Sequence, residues 1–218
     1  MLVISSDDDL ADHSPLEFLS MGNIDSNSIL NLLGDYRYLR LGYYVSLHAE
    51  LLNLPVIPTI KNILDAYRAP LLSLRARNVG IPAVPYKLVT DPPKDAELPC
   101  VLIAMNPFTI NSLRVAKSRV SLKRAIVELG YDGRYPVCIQ PLLGRLQQFE
   151  MAFGCTMRAE YSIVAKQFFE EFKIPLGNLV IQQAEETSYL CHFLPITLDE
   201  INYPWLKDVL VGWKKDRK

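Results

Sequence analysis

The sequence is organised around the stretch Asn31-Leu-Leu-Gly-Asp-Tyr-Arg-Tyr-Leu-Arg-Leu-Gly-Tyr-Tyr-Val-Ser-Leu-His-Ala-Glu50. A short apolar run, Ser28–Leu33, leads into it, and a second run, Leu54–Pro58, follows it. Apolar runs of this length are typical of buried strands. Residues 42–53, between the two runs, have helical spacing. The order of strand, loop, helix and strand predicts a parallel βαβ unit with a right-handed crossover.

The spacing within residues 42–53 also predicts how the helix is oriented. Its more apolar face contains Tyr44, Leu47, His48 and Leu51, and the opposite face contains Tyr43, Ser46, Glu50 and Asn53. We expect the apolar face to pack against the sheet. His48 is then expected to be a hydrogen-bonded core histidine rather than a catalytic group.

The loop Gly34–Arg40, between the first strand and the helix, is the candidate binding site. In βαβ units, ligands bind beyond the carboxyl ends of the strands, where the loop meets the helix N-terminus. Two guanidinium groups and the helix N–H groups favour a carboxylate or phosphate there. Tyrosines add stacking surface, and a glycine allows close backbone approach. The predicted ligand-binding residues are Tyr36, Arg37, Tyr38, Arg40, Gly42, Tyr43 and Ser46.

The alternative for this loop is structural. The tyrosines would then pack the helix onto the sheet, and the arginines would lie in solvent. The sequence has no Gly-x-Gly-x-x-Gly pattern and no Walker lysine, so it carries no nucleotide fingerprint.

Two blocks of the sequence resemble a known family. The first contains Asp35–Leu39, Gly42–Glu50 and Val56–Ile60, and the second contains Phe149–Thr156 and Ala165–Leu176. They are similar to the RimK-like ATP-grasp N-terminal domain. This resemblance implies an α/β domain that precedes an ATP-grasp ligase, which joins amino acids through an acyl-phosphate.

The middle segment, residues 75–148, does not match that pattern. Its strand 98–104, the segment 114–118 with a following helix, and the strand 136–140 resemble the nucleotide-binding half of an ATP-grasp module. Such modules usually carry a lysine just after the first of these strands. Ala104 or Met105 stands there in this sequence. An aliphatic side chain cannot neutralise phosphate charge, which argues against nucleotide binding.

The bulk composition excludes several partners and compartments. The formal net charge is −1, which argues against broad binding to nucleic acid or anionic membranes. No apolar run approaches membrane-spanning length, and the N-terminus lacks a basic n-region. Four scattered cysteines are expected to be buried free thiols, as in a reducing cytosol: Cys100, Cys138, Cys155 and Cys191. We expect a soluble, cytoplasmic protein.

Candidates for catalysis or metal binding are few. The acidic run Asp7–Asp9 is expected to be a solvated turn or helix cap rather than a metal site. The three histidines, His13, His48 and His192, are far apart in the sequence, and no hydrolase or metalloprotease motif exists. We predict no catalytic residue, no metal site and no cofactor. ATP and Mg²⁺ enter only if the chain is itself a ligase.

The remaining pattern completes the predicted fold. The predicted strands are 2–4, 86–90, 100–104, 111–117, 135–140, 148–153, 179–182 and 188–194. The predicted helices are 59–67, 118 or 121 to 129, 161–172 and 205–213. Residues 71–77 are ambiguous between helix and strand. Residues 10–27 are expected to form a loop, and residues 214–218 a charged tail. We predict an α/β fold with a Rossmann-like, mainly parallel sheet, flanking helices, and antiparallel strands or a hairpin toward the C-terminus. A single domain over 1–218 is expected, with an internal boundary at 91–97 left open.

The first functional hypothesis is an accessory, non-catalytic domain that binds an anionic group. Its partners would be an ATP-grasp ligase domain or protein and a small anionic amino acid or peptide. The alternatives are a stand-alone, degenerate ATP-grasp ligase, which would be an ATP-dependent carboxylate-amine ligase, and a structural or homo-oligomerisation domain. Nucleic acid and membrane are not expected partners.

Overall fold

The computed structural model describes residues 1–109 and 112–215. The chain forms two compact units. Unit 1 comprises Met1–Tyr67, Gln148–Leu179 and the segment from Phe193 onward, and unit 2 comprises Arg68–Gln147 and Val180–His192. The loop 91–97 lies inside unit 2, as does almost all of the middle segment 75–148. The single-domain prediction concerns how the whole chain folds, and it stays a prediction.

Unit 1 contains a parallel sheet built on the predicted βαβ unit. Its strands are β1 (Leu2–Ile4), β2 (Ile29–Asn31) and β3 (Val56–Ile57), in that spatial order, and α2 (Leu41–Leu51) connects β2 to β3. Leu2 pairs with Ile29, and Ile29 pairs with Val56. The predicted strand, helix and strand are therefore confirmed. A parallel pair needs a crossover of about a dozen residues, which the loop and helix supply.

The predicted orientation of α2 is wrong. Its buried residues are Gly42, Val45, Ser46 and Ala49, whereas Tyr44 is 42% exposed and Leu51 is 72% exposed. Small residues face the sheet because they let the helix approach β2 closely. Counting apolar side chains missed this face, since glycine and serine do not count as apolar. His48 has a partner, as expected: its Nε2 lies 2.9 Å from the Met21 carbonyl oxygen.

The residues on either side of this unit are more regular than predicted. The expected loop over 10–27 contains α1 (Pro15–Ser20), which begins with proline in its first turn and is capped by Ser14. Its Phe18 is fully buried and packs edge-on against the His48 ring at 5.3 Å. After β3, the predicted helix is confirmed as α3 (Ile60–Ala66), capped by Thr59.

Two more helices complete unit 1. The predicted helix over 161–172 is confirmed as α6 (Ser162–Phe172), following a short 3-10 turn at Ala159–Tyr161. Phe168 stacks on Phe172 and on Phe193, with ring centroids 4.7 Å and 5.1 Å apart. The predicted C-terminal helix is also confirmed, as α7 (Tyr203–Lys215). The rest of the predicted tail, residues 216–218, lies outside the described residues.

Unit 2 contains a four-stranded sheet and two helices. Its helix α4 (Ala69–Asn78) settles the ambiguous run at 71–77, and Pro70 lies in its first turn rather than interrupting a helix. The strands are β4 (Lys87–Val89), β5 (Cys100–Ala104), β6 (Leu113–Ala116) and β7 (Val137–Pro141), and α5 (Arg119–Leu129) lies between β6 and β7 in the chain. The spatial order is β4–β7–β5–β6, with every neighbouring pair antiparallel. The first residue of the predicted strand 111–117, Asn111, lies outside the described residues.

Three long strands form the remaining sheet, in the order β10–β9–β8. They are β8 (Arg145–Ala152), β9 (Leu176–Ala184) and β10 (Thr187–Leu194), and each contains residues of both units. A two-residue turn at Glu185–Glu186 joins β9 to β10, as predicted for a C-terminal hairpin.

The α/β class is confirmed, but the sheet is not mainly parallel. The strands β1, β2 and β3 pair in parallel, while the larger sheet of unit 2 is antiparallel. The reason is connection length. Only residues 105–112 join β5 to β6, which is too short for the crossover that parallel neighbours require.

Candidate functional site

The candidate loop leaves β2 through Gly34, whose φ of +73° lies in the left-handed region. The backbone N–H of Asp35 donates to the Leu33 carbonyl at 2.8 Å and tightens this turn. A Cβ at Gly34 would overlap the backbone carbonyl oxygen of Ile196. Both conditions demand glycine here, because other residues rarely adopt this φ and none fits this space. The start of the loop is therefore fixed.

Tyr36 anchors the loop rather than lining its surface. Its side chain is fully buried, and its hydroxyl donates to the Asn31 carbonyl oxygen at 2.9 Å. Burial raises the pKa of this phenol far above its usual value, so the hydroxyl stays protonated and remains a donor.

The two arginines of the loop converge on one carboxylate. Arg37 donates from Nε to Oδ1 of Asp35 at 2.8 Å and from a terminal nitrogen to Oδ2 at 2.6 Å. This bidentate hydrogen bonding raises the pKa of the Arg37 guanidinium. Nε of Arg40 lies 4.0 Å from Oδ2 of Asp35, and the Arg40 side chain is 54% exposed. Two guanidinium charges thus share one carboxylate charge, which leaves the loop with a net positive charge.

The other tyrosines of the loop form an aromatic cluster at the surface. Tyr38 packs edge-on against Tyr43 at 5.1 Å, and Tyr43 packs edge-on against Tyr44 at 5.9 Å. Tyr38 is exposed and Tyr43 is half-buried. Both rings are therefore available for stacking.

Gly42 and Ser46 lie on the buried side of α2, where Asn31 holds them. Asn31 Nδ2 donates to the Gly42 carbonyl at 2.7 Å and to Ser46 Oγ at 3.0 Å, and Ser46 Oγ donates to the Pro58 carbonyl at 2.8 Å. A Cβ at Gly42 would lie only 2.5 Å from the Asp35 carbonyl oxygen. Gly42 and Ser46, like Tyr36, therefore position the loop. A direct role of the seven predicted residues in ligand binding stays a prediction.

Sequence reasoning missed two residues that organise this site. Asp35 sets the charge and direction of both guanidiniums, and Asn31 ties the end of β2 to the first turns of α2. One signal was present: a lone acidic residue lies two and five positions before the two arginines. No comparable signal marked Asn31, because an asparagine that ends an apolar run is common at turns.

In unit 2, strand β5, whose sequence resembles the nucleotide-binding half of an ATP-grasp module, is fully buried. All five residues of β5 are buried, and Cys100, Leu102 and Ala104 pack in one apolar cluster with Leu122 and Ile126 of α5. After the strand, Asn106 is buried and donates to the Leu129 carbonyl at 2.9 Å, at the end of α5. No side chain of β5 can therefore supply a cation to a phosphate.

The structure brings Ser112 and His192 together, although they are far apart in the sequence. Ser112 Oγ lies 2.8 Å from His192 Nε2, and His192 Nδ1 has no partner among the described residues. Burial lowers the pKa of His192 to about 4, so the ring is neutral at ordinary pH. Without an acidic group at Nδ1, this pair lacks the third member of a catalytic triad.

Unit 2 also contains a small cavity of about 280 Å³. Its lining includes Tyr86, Lys87, Asp95, Cys100, Ile139 and Pro141. Lys87 Nζ lies 3.2 Å from Asp95 Oδ2, so charges of opposite sign already meet there. The lining is otherwise largely apolar, which suits a small uncharged group better than a phosphate.

Within residues 1–109 and 112–215, no group of three or more His, Cys, Asp or Glu side chains could hold a metal ion. Nor is any described helix long and apolar enough to span a bilayer. Cys100, Cys138 and Cys191 are buried, as expected, and all four cysteines are free thiols. The expectation is wrong for Cys155, which is exposed because it follows the turn at the end of β8. Asp7 accepts from the Asp9 backbone N–H at 3.0 Å, so the acidic run forms a turn, as expected.

Comparison with solved structures assigns the fold to the ATP-grasp ligase type. It is similar to the RimK domain protein ATP-grasp from Sphaerobacter thermophilus DSM 20745, with a TM-score of 0.61 and 13% identity over 88% of this chain and 90% of that chain. It is also similar to the D-alanine-D-alanine ligase from Coxiella burnetii, with a TM-score of 0.56 and 14% identity over 85% of this chain and 64% of that chain. The L-amino acid ligase from Bacillus licheniformis gives a TM-score of 0.55 and 10% identity over 78% of this chain and 48% of that chain.

At these identities the similarity concerns the fold alone, and the chain spans less than two thirds of either ligase. No curated protein matches the sequence. The family model for the RimK-like ATP-grasp N-terminal domain matches residues 16–205, which is most of the chain. The chain therefore belongs to the RimK-like ATP-grasp N-terminal domain family, as its two sequence blocks predicted.

Proposed function

We propose that this chain is an accessory, non-catalytic domain of a RimK-like ATP-grasp amino-acid ligase system. It binds an anionic group, either on a small amino-acid or peptide substrate or on the ligase itself. The family match over residues 16–205 supports the association with such ligases. The main support for anion binding is the exposed Arg40 guanidinium, which gives the loop its net positive charge because Arg37 is paired with Asp35.

The position of Arg40 strengthens its attraction for anions. It is the N-cap residue of the 11-residue helix α2, and it offers no side-chain acceptor to the first turn. The positive end of the helix dipole therefore lies beside its guanidinium. Arg37, in contrast, is largely neutralised by Asp35. In this proposal, Arg40 contacts the anion, Tyr38 and Tyr43 add stacking surface, and Arg37 holds Asp35 in place.

We expect replacement of Arg40 by glutamine to weaken the binding of a triglutamate peptide about fivefold, corresponding to about 1 kcal/mol for an exposed ion pair. The folded state should be unchanged, because the Arg40 side chain is mostly exposed. Isothermal titration calorimetry at low ionic strength measures the affinity, and added salt should lower it further.

Arg124→Gln is the matched control, since Arg124 is an exposed arginine of α5 in unit 2. It should leave the affinity unchanged. The proposal fails if wild-type protein does not bind triglutamate, or if the Arg40 and Arg124 variants lose the same affinity. Arg37 is not a suitable probe, because its removal leaves the half-buried Asp35 carboxylate without its bidentate partner.

One observation favours a second candidate, a degenerate stand-alone ligase. Unit 2 contains an antiparallel sheet with a helix, and the whole fold is similar to ATP-grasp ligases. The residues do not fit ATP and Mg²⁺, however. The strand β5 is wholly buried and apolar, and the described residues contain no acidic cluster for a metal. Polyphosphate recognition requires cations that this strand does not supply.

We expect ATP with Mg²⁺ to leave the melting temperature unchanged, since only a ligand that binds the native state stabilises it. Phosphate release in the presence of triglutamate should equal that of a protein-free blank. Differential scanning fluorimetry with adenosine is run in parallel. A shift in melting temperature with both ligands would indicate occupation of the unit 2 cavity, whereas a shift with ATP alone would indicate phosphate recognition. Protein-dependent phosphate release would reject the accessory role in favour of the ligase.

A further inference from the structure

Helix α2 carries an apolar face that the described residues of unit 1 leave partly exposed. We call it the α2 outer face and define it by Arg40, Tyr44, Leu47 and Leu51, which follow helical spacing opposite the buried residues. Leu51 is 72% exposed and Tyr44 is 42% exposed, while Leu47 is half-buried. The apolar spacing predicts burial of Tyr44, Leu47 and Leu51, whereas Tyr44 and Leu51 are exposed. An exposed apolar helix face of this kind marks an interaction site.

The spacing of the α2 outer face is the same in both directions. Successive residues are four, three and four positions apart, so a two-fold axis between Val45 and Ser46 exchanges the two ends. Two antiparallel copies of α2 related by that axis would place Tyr44 against Leu47 and Arg40 against Leu51. A two-fold interface requires this self-complementarity, because each residue meets the copy of its counterpart.

The charges at the two ends of α2 are also complementary in this arrangement. Arg40 lies at the N-terminal end, and the exposed Glu50 lies next to Leu51 at the C-terminal end. Oε1 of Glu50 accepts from the Ile60 backbone N–H at 2.7 Å, which holds this carboxylate at the helix end. The antiparallel arrangement brings each Arg40 to the Glu50 of the other copy. A parallel arrangement would instead bring like charges together at both ends.

We propose that the α2 outer face binds a second copy of this chain, with the two α2 helices packed antiparallel across a two-fold axis. Tyr44, Leu47 and Leu51 form the apolar centre, and two Arg40–Glu50 pairs flank it. The dimer goes beyond the proposed function, because it needs no ligand and no ligase.

Sedimentation velocity of the full chain without ligand tests the dimer. A single helix pair is smaller than a standard interface, so we expect a dissociation constant on the order of 10 µM. Wild-type protein should therefore shift from a mass near 24.7 kDa to twice that mass across this concentration range. Leu51→Lys should raise the dissociation constant at least tenfold, since it removes an apolar contact and places a second positive charge against Arg40 of the other copy.

Ile163→Lys is the matched control. Ile163 is 71% exposed on α6, which has 11 residues like α2, so the substitution is equivalent in exposure and helix length. The Ile163 variant should dimerise as the wild type does. Circular dichroism verifies that each variant is folded. Tyr44→Ser gives a second variant of the apolar centre that introduces no charge, and it should also weaken the dimer.

A charge exchange tests the antiparallel arrangement itself. Arg40→Glu and Glu50→Arg should each weaken the dimer at least fivefold. The double variant should recover part of that loss, because it restores the pairing between copies but not the bond from the Ile60 backbone N–H to Glu50. A wild type that stays monomeric at all concentrations overturns the proposal, as does a dimer that Leu51→Lys leaves intact. A double variant no better than the single variants overturns the antiparallel arrangement. Leu51→Lys and Tyr44→Ser leave Arg40, the residue assigned to the anion, in place. Their effect on the dimer is therefore independent of triglutamate binding, and the two proposals fail separately.

Discussion

Replacing Gly34 with alanine is expected to destabilise unit 1 by about 4 kcal/mol. About 1 to 2 kcal/mol comes from forcing a side chain into the left-handed region at φ +73°, and the rest comes from overlap of the new Cβ with the Ile196 carbonyl oxygen. The neighbour is backbone, so it cannot turn aside as a flexible side chain would. Urea unfolding followed by circular dichroism gives the change in the free energy of unfolding.

Gly80 and Gly133 separate the two contributions. Both have φ of +81°, and a Cβ at either would meet nothing within 4 Å. Alanine at these positions should therefore cost only the conformational part, about 1 to 2 kcal/mol. If Gly34→Ala lowers the free energy of unfolding no more than Gly80→Ala does, the Ile196 carbonyl does not approach Gly34 closely. The start of the candidate site would then be less rigid.

Replacing Asn31 with alanine is expected to cost about 3 kcal/mol of unfolding free energy. The amide donates to the Gly42 carbonyl and to Ser46 Oγ, and its Oδ1 accepts from the Leu33 backbone N–H at 3.2 Å. Asn31 and Ser46 are buried, so water cannot fully replace these bonds. Each buried group left without a partner costs about 1 to 3 kcal/mol, offset in part by relaxation. Urea unfolding measures this change, and an m value that the substitution leaves unchanged verifies that the comparison is valid.

Asn178→Ala is the control for Asn31. Asn178 is also a buried asparagine of unit 1, and its Nδ2 donates a single hydrogen bond, to the Pro195 carbonyl at 3.2 Å. It should cost about 1 kcal/mol. Ser46→Ala removes two bonds of the network and should lie between the two asparagine variants. Equal losses for Asn31→Ala and Asn178→Ala would contradict the view that Asn31 organises the loop and α2.

Most elements could be predicted from local signals. The strand Cys100–Ala104 follows from one apolar run, and α5 follows from the Ser118 cap, its apolar stripe and the glycine after Leu129. Such features depend on neighbours in sequence, so sequence reasoning can find them. The order β4–β7–β5–β6 depends on pairing between distant segments, and no residue pattern specifies it.

The candidate site was only partly predictable for the same reason. The cluster of Arg37 and Arg40 at the start of a helix follows from the βαβ pattern. The engagement of both by Asp35 depends on the backbone path, which has positive φ at Gly34 and at Leu39. The buried face of α2 depends on Asn31, a single side chain at the end of β2. Hydrophobic periodicity carries no information about either.

The path of the chain limits how this protein can be dissected. It passes from one unit to the other after Tyr67, Gln147, Leu179 and His192, so neither unit is a continuous piece of the gene. A fragment containing only residues 68–147 would expose Gln140, whose amide donates to the Cys191 carbonyl and whose Oε1 accepts from the Cys191 thiol. Truncated proteins should therefore aggregate. To produce unit 1 alone, its three segments must be joined by designed linkers that replace the two segments of unit 2, Arg68–Gln147 and Val180–His192.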